Sequence, residues 1–241
     1  MSEAAKNYNQ LLFDSVKLED LAGIQEALAK GADVNAKDEE GWTPLLNASL
    51  GSSKEVVEIL LKYGADVKAI DDSGSTALMN TVIGESKEIA EVLIKNGADI
   101  ETKDRFSCTA LKLAAEEGIL EIAKLLLSYG AEINSKDELE RSVLMGAVDM
   151  SNVEMVNLLI EYGAEVNTQD INGETPLMSA VKKNNKEMVD LLLKHRADVN
   201  AKDESGAMAL SYTKSKEIFD LLIRNGAEEA FWNKLRRIFL K

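Results

Sequence analysis

The sequence predicts an all-α solenoid of stacked helix-turn-helix repeats, and three observations carry that prediction. An octet that opens on Asp and closes on Leu recurs every 33 residues: Asp38–Leu45, Asp71–Leu78, Asp104–Leu111, Asp137–Leu144, Asp170–Leu177 and Asp203–Leu210. A second string, Gly-Ala-acid-apolar, keeps the same spacing at Gly31, Gly64, Gly97, Gly130 and Gly163. Between the two lies an apolar segment of helical length in every repeat. Two signatures locked to one period describe a chain of equivalent supersecondary units, each touching only its neighbours.

The elements follow from the residues of one repeat, Asp38 to Ile70. Asp38-Glu39-Glu40-Gly41 is turn chemistry, because the carboxylate accepts amide hydrogens two residues on and Gly41 supplies a left-handed residue. Thr43 is then a helix N-cap with Pro44 at the first helical position. A short first helix, roughly 44–50, carries Leu45 and Ala48 inward and ends at Gly51-Ser52-Ser53. The second helix, 54–63, is apolar at Val56, Val57, Ile59, Leu60 and Leu61. That face is wide enough to be buried by neighbours on two sides. Gly64 terminates it, and Ala65-Asp66-Val67 leads into the next turn.

The second helices carry charges at i, i+4 and i+8: Lys54-Glu58-Lys62, Lys87-Glu91-Lys95, Lys186-Asp190-Lys194 and Lys216-Asp220-Arg224. Each pair contributes only about 0.2–0.5 kcal/mol, so the ladder serves mainly to mark a solvated back. It is broken at Leu120-Lys124-Ser128 and Val153-Asn157-Glu161. The ends differ from the middle, as capping repeats must. Residues 4–37 read as a helical pair without the loop motif, since Ala5, Tyr8 and Gln10 replace Asp, Gly and Thr. The repeats proper are 38–70, 71–103, 104–136, 137–169 and 170–202, followed by a shortened 203–229 whose first helix or following loop is clipped. Residues 230–241 form a last amphipathic helix, and the whole is expected to be a single domain.

Composition narrows the function. The 241 residues hold 28 basic and 42 acidic side chains, a formal charge of −14. Nucleic-acid affinity rests largely on neutralising phosphates, so nucleic acid is excluded as a partner. The balance suits a protein partner that is neutral or basic. One cysteine, Cys108, excludes an internal disulfide and a cysteine-based zinc site. No basic stretch followed by an apolar one opens the chain, and no apolar run reaches membrane-spanning length, so a cytoplasmic monomer is expected.

The string Asp-x-x-Gly-x-Thr-Pro-Leu, then Ala, an apolar second helix and Gly-Ala-Asp-Val-Asn, resembles the ankyrin repeat over about residues 5–229. That resemblance implies antiparallel helix pairs stacked side by side, with long β-hairpin loops projecting from them. It also implies non-enzymatic recognition of proteins through the loop tips and a concave face formed by the first helices. The family follows Thr-Pro-Leu with a His that ties adjacent turns together. Here that place holds Leu46, Met79, Lys112, Met145, Met178 and Ser211. The lost hydrogen bonds, about 1 kcal/mol net each, are partly offset by apolar packing. Ser107 and Glu140 replace the turn glycine, and Arg196 the helix-ending one. A side chain in a left-handed conformation costs roughly 1 kcal/mol, so distorted hairpins are expected in the third and fourth repeats.

Few residues suit catalysis. His195 reads as an exposed residue at a helix C-terminus, where positive charge is favourable. Cys108 has no histidine in its own repeat to activate a thiolate. The six periodic Asp carboxylates lie one per turn, whereas calcium needs six to eight oxygens about one point. No cofactor, metal site or phosphate loop is expected. Recognition has more material. At the positions the family uses for contact stand Trp42, Leu50, Ile83, Arg105, Phe106, Leu139, Arg141, Met150, Ile171 and Glu174. A loop tip has no core to occupy a Phe or Ile, and interface centres favour aromatic, Met and Arg side chains. In the C-terminal segment Phe231, Trp232, Leu235, Ile238 and Phe239 share one helical face, with Lys234 and Arg237 beside it. That helix either caps the last repeat or lies on a partner or an anionic membrane. The function expected is a scaffold presenting a rigid acidic surface to a protein. The alternatives are a membrane-peripheral adaptor held by that helix, or an inhibitor of a basic enzyme.

Overall fold

A computed structural model describes residues 3–228. The expected helix at 230–241, with Phe231, Trp232, Lys234, Leu235, Arg237, Ile238 and Phe239, lies outside the described residues. Fourteen α-helices run through the described chain, and they fall into two compact bodies, Met1–Ala131 and Glu132–Lys241. The N-terminal body holds α1 (Glu3–Lys17), α2 (Leu21–Ala29), α3 (Pro44–Ala48), α4 (Lys54–Lys62), α5 (Ala77–Ile83), α6 (Lys87–Lys95), α7 (Ala110–Glu117) and α8 (Leu120–Ser128). The C-terminal body holds α9 (Val143–Asp149), α10 (Val153–Glu161), α11 (Pro176–Lys182), α12 (Lys186–Lys194), α13 (Ala209–Tyr212) and α14 (Lys216–Arg224). Within each body, first helices pack on first helices and second helices on second helices. Among the described residues no helix is long and apolar enough to cross a membrane.

Helix starts are set by the residue before them. Thr43, Thr76, Thr109, Ser142 and Thr175 each accept the amide hydrogen three residues on, at 3.2–3.3 Å. Met208 stands at this place in the last repeat and offers no such oxygen. The helix it opens, α13, has only four residues. Helix ends are equally regular. Ala65, Ala98, Ala131, Ala164, Ala197 and Ala227 each donate to the carbonyl five residues back, closing the last turn over a left-handed residue.

The core of the N-terminal body is built from Leu12, Val16, Ile24, Leu45, Val56, Val57, Leu60, Ile89 and Leu93. The family's histidine place is filled as expected: Leu46, Met79, Met145 and Met178 are buried. Lys112 is buried too, with its ammonium 3.2 Å from Glu116 near the surface.

The projecting loops correct two expectations. They are not β-hairpins. Among the described residues strand pairing is confined to single bridges, Ile70 with Thr76 and Lys136 with Ser142. The physical reason is local competition for the amides. In every repeat one oxygen of the octet's Asp accepts two amide hydrogens, from residues two and four on. Asp38 takes those of Glu40 and Trp42, Asp104 those of Phe106 and Cys108, and Asp170 those of Asn172 and Glu174. The donors that a strand ladder would need are already used. Nor are the loops of the third and fourth repeats distorted. Ser107 and Glu140 adopt φ of 61° and 58°, and each still donates to the Asp three residues back, at 2.9 and 3.0 Å. The Asp bonds hold the turn closed against the roughly 1 kcal/mol cost of a Cβ there.

Neighbouring repeats are stitched by an asparagine. Asn35 accepts from the Asp66 amide at 2.7 Å and donates to the Gly64 carbonyl at 3.2 Å. Asn167 and Asn200 repeat both bonds with Asp198 and Arg196, and with Glu228 and Gly226. In the N-terminal body this stitch is interrupted at Lys68, which occupies the equivalent place. Lys68→Asn is expected to add bonds to the Asp99 amide and Gly97 carbonyl. Two exposed hydrogen bonds are worth about 1 kcal/mol together, a rise of roughly 2–4 °C in Tm. Differential scanning calorimetry of the variant checks it, and an unchanged or lower Tm would refute the stitch.

Candidate interaction surface

The two bodies place their candidate residues differently. In the N-terminal body Trp42 is half-buried, its ring against the core of that body and its amide on Asp38. Leu50 and Ile83 are exposed at the ends of the first helices. Phe106 is exposed as well, with the Arg105 guanidinium 4.7 Å over its ring centre. That stacking holds both side chains in one orientation at the loop tip. The Arg105 amide also donates to the Ser73 carbonyl at 3.0 Å, so this loop is tied to the previous one.

In the C-terminal body Leu139, Arg141, Met150 and Glu174 line one cleft of about 560 Å³, which also receives Asp149, Asn172, Ser179, Lys182 and Lys183. Ile171 is exposed and not among the residues that line the cleft, although its amide donates to the Leu139 carbonyl at 3.1 Å. Gly173 makes the close approach of loops possible here. Its φ is 72°, and an added Cβ would lie 2.8 Å from the Glu204 amide nitrogen. Leu139 is 46 % exposed and Met150 61 %, so the rim is apolar and open to water.

Two ion pairs lie inside the cleft. Arg141 pairs with Asp149, which also accepts from the Ser179 hydroxyl. Glu174 pairs with Lys182 at 2.5 Å. Burial pushes the Lys182 ammonium down, but the Glu174 carboxylate outweighs it and its pKa ends up raised. The two pairs share a geometry: each joins the residue before a helix cap to the last residue of that helix, eight positions on. Lys182 further lies 4.2 Å over the Tyr212 ring, whose hydroxyl donates to Asp203.

Asp149 was not legible as a site residue. Its repeat position is that of Leu50 and Ile83, with the apolar Met150 one place further on. The opposite signs of Arg141 and Asp149, repeated inverted at Glu174 and Lys182, were the signal that could have found it. Among the described residues no group of acids, His and Cys is placed to hold a metal ion.

Known proteins account for this architecture. A family model of ankyrin repeats in three copies matches residues 12–104, 73–137, 111–203 and 144–231. The chain belongs to the ankyrin repeat family. The ankyrin repeat domain of Bcl-3, a unique member of the IkappaB protein family, matches with a TM-score of 0.81 at 28 % identity, over 89 % of this chain and 97 % of that one. The human ASB11 ankyrin repeat domain matches in fold, with a TM-score of 0.80 at 24 % identity over 91 % and 99 %. Human 2-5A-dependent ribonuclease is 46 % identical over 61 residues, and human mitochondrial disaggregase 35 % identical over 60. Each match takes in 25 % of this chain and only 8 % of that relative's length. The chain is thus an ankyrin-repeat scaffold, a protein–protein interaction domain of the general kind seen in Bcl-3, and it shares its fold with ASB11.

The Tyr212–Asp203 contact gives a pH-dependent prediction. Burial pushes the Asp203 carboxyl up, but hydrogen bonds from Tyr212, from Ser205 and from the Ala207 and Ser205 amides outweigh it and lower it from 3.8 to about 2. A depressed carboxylate contributes stability that is complete above 3.8 and is lost as pH falls towards 2. Tyr212→Phe removes the strongest of these bonds. The variant is expected to be less stable than the parent by at most about 1 kcal/mol at neutral pH, since both groups are partly open to water. The difference should close as pH approaches 2. Urea midpoints across that range check this, and a gap independent of pH would show that Tyr212 acts by packing alone.

Proposed function

We infer that the C-terminal body recognises a protein by seating one of its apolar side chains at the rim formed by Leu139 and Met150. The observation that carries this is the cleft itself: an exposed apolar rim over two ion pairs. A partner entering it need supply no ion to neutralise them, so the gain comes from apolar burial and from hydrogen bonds to Asn172 and Ser179. The cleft is held by loops closed on their own Asp and tied to each other, so little conformational entropy is lost on binding. The net charge of −14 favours a partner that is neutral or basic, approached by long-range attraction, and inhibition of a basic enzyme is one use such a surface would serve.

The partner is to be captured from the source cell with the intact chain, identified by mass spectrometry, and titrated as a purified protein. Leu139→Ala combined with Met150→Ala is expected to weaken binding about tenfold or more, a loss of roughly 1.4 kcal/mol, while Tm moves by less than about 2 °C. Unchanged affinity would remove the cleft as the site. A larger fall in Tm would make the two side chains structural.

A further inference from the structure

We propose that Met150 is a reversible oxidation site: a hydroperoxide converts its thioether to the sulfoxide, and the rim of the C-terminal cleft turns from apolar to polar with it. Eight methionines stand in the sequence, and all except Met1 fall within the described residues. Met79, Met145, Met155, Met178, Met188 and Met208 are exposed by 7 % or less, whereas Met150 is 61 % exposed. The contrast is sharpest inside the cleft itself. Met145 and Met150 both line it, yet Met145 keeps only 3 % of its surface open.

The backbone explains why one is covered and the other is not. Ser142 caps α9 and fixes its first turn, so that Met145 is buried together with Leu144 and Val148. Met150 follows the last residue of that helix, and its amide closes the final turn on the Gly146 carbonyl at 3.1 Å. Ser151 then takes the chain away at φ of 57°. Only the main chain of Met150 is held, and its side chain adds nothing to the core.

A thioether needs no deprotonation to react, so access decides which methionine is oxidised. The Met150 sulfur attacks the terminal oxygen of the hydroperoxide, and the O–O bond breaks as the S–O bond forms. Sulfur loses two electrons, and the proton of the transferred oxygen passes to the leaving one, which departs as water or an alcohol. Two thiols of a reductase reverse the step, releasing water and ending as a disulfide. Cys108, the single thiol of the chain, is buried. Tolerance selects the same residue as access. A sulfoxide at Met145 or Met178 would bury a strong acceptor among apolar side chains, at a cost to the fold. At Met150 the new oxygen stands in water. The cleft also holds Lys183, an ammonium donor that forms no ion pair among the described residues.

The effect on recognition rests on reading the cleft as the binding site; the oxidation itself does not. The full chain is to be treated with dilute hydrogen peroxide and mapped by peptide mass spectrometry. Met150 sulfoxide should form about tenfold faster or more than sulfoxide at any of the six buried methionines, which react only when their part of the core opens. Cys108→Ser should give the same map. Methionine sulfoxide reductases, one for each epimer, should remove the modification. Tm should move by less than about 2 °C on treatment. The treated chain should bind the purified partner about tenfold more weakly and recover on reduction, while the affinity of Met150→Leu should not move on treatment. The proposal is overturned if Met145 or Met208 oxidises as fast as Met150, or if the reductases leave the sulfoxide in place. It is equally overturned if peroxide weakens binding by Met150→Leu as much as by the parent. Unchanged affinity of the Leu139→Ala, Met150→Ala variant removes the cleft reading alone, and the peptide map then still decides whether Met150 is the oxidation site.

Discussion

One hydrogen-bonded group sets up everything else in this chain: the carboxylate that opens each octet. A single oxygen of Asp38, Asp71, Asp104, Asp137, Asp170 and Asp203 takes two amide hydrogens, and the loop closes on it before any strand pairing can extend. Closing the loop fixes where the next residue stands, and that residue is the helix cap. The cap fixes the first helix, the first helix positions its Leu in the core, and the second helix covers it. Because each step is local, a substitution such as Glu140 for glycine is absorbed within its own repeat. This explains how a sequence so far from uniform keeps one architecture from α3 to α14.

The same locality explains what could be read from the residues alone. Caps, turns and helix-terminating residues are written in short strings, and the structure follows them closely, down to the four-residue α13 where Met208 replaces Thr. The β-hairpins were an inference from resemblance, and the Asp oxygen displaced them. Burial at the histidine place was legible because Leu and Met have nowhere else to go, and Lys112 is buried there with its ammonium paired to Glu116. The site was less legible. Leu139, Arg141, Met150 and Glu174 were individually visible as residues that do not repeat, but their meeting in one cleft depends on side-chain direction. Pairing is the harder part: Arg141 and Glu174 look like free charges in a list, yet each is neutralised by a residue eight positions on.

Net charge is consequently a poor guide to local recognition here. The value of −14 is a sum over solvated helix backs, turns and loops. In the cleft of the C-terminal body the paired acids and bases nearly cancel, and selectivity must come from shape and apolar contact. On the turns of the N-terminal body the acids are concentrated beside exposed leucine and isoleucine side chains.

That division follows from how repeat proteins can evolve specificity without losing their fold. Residues bound into the loop and cap are constrained, because each supplies a hydrogen bond to its repeat, even though single losses such as Met208 are absorbed. The free positions are few: the loop residues between the Asp and the cap, the end of the first helix, and the turn after it. Leu18, Glu19, Ile83, Glu85, Leu139, Asp149 and Met150 all occupy such positions. Their exposure costs the fold little, since none replaces a core contact, and hydrophobic side chains left in water there contribute to neither helix nor core. At these places an apolar side chain left in water is the feature on which the proposed recognition surface rests.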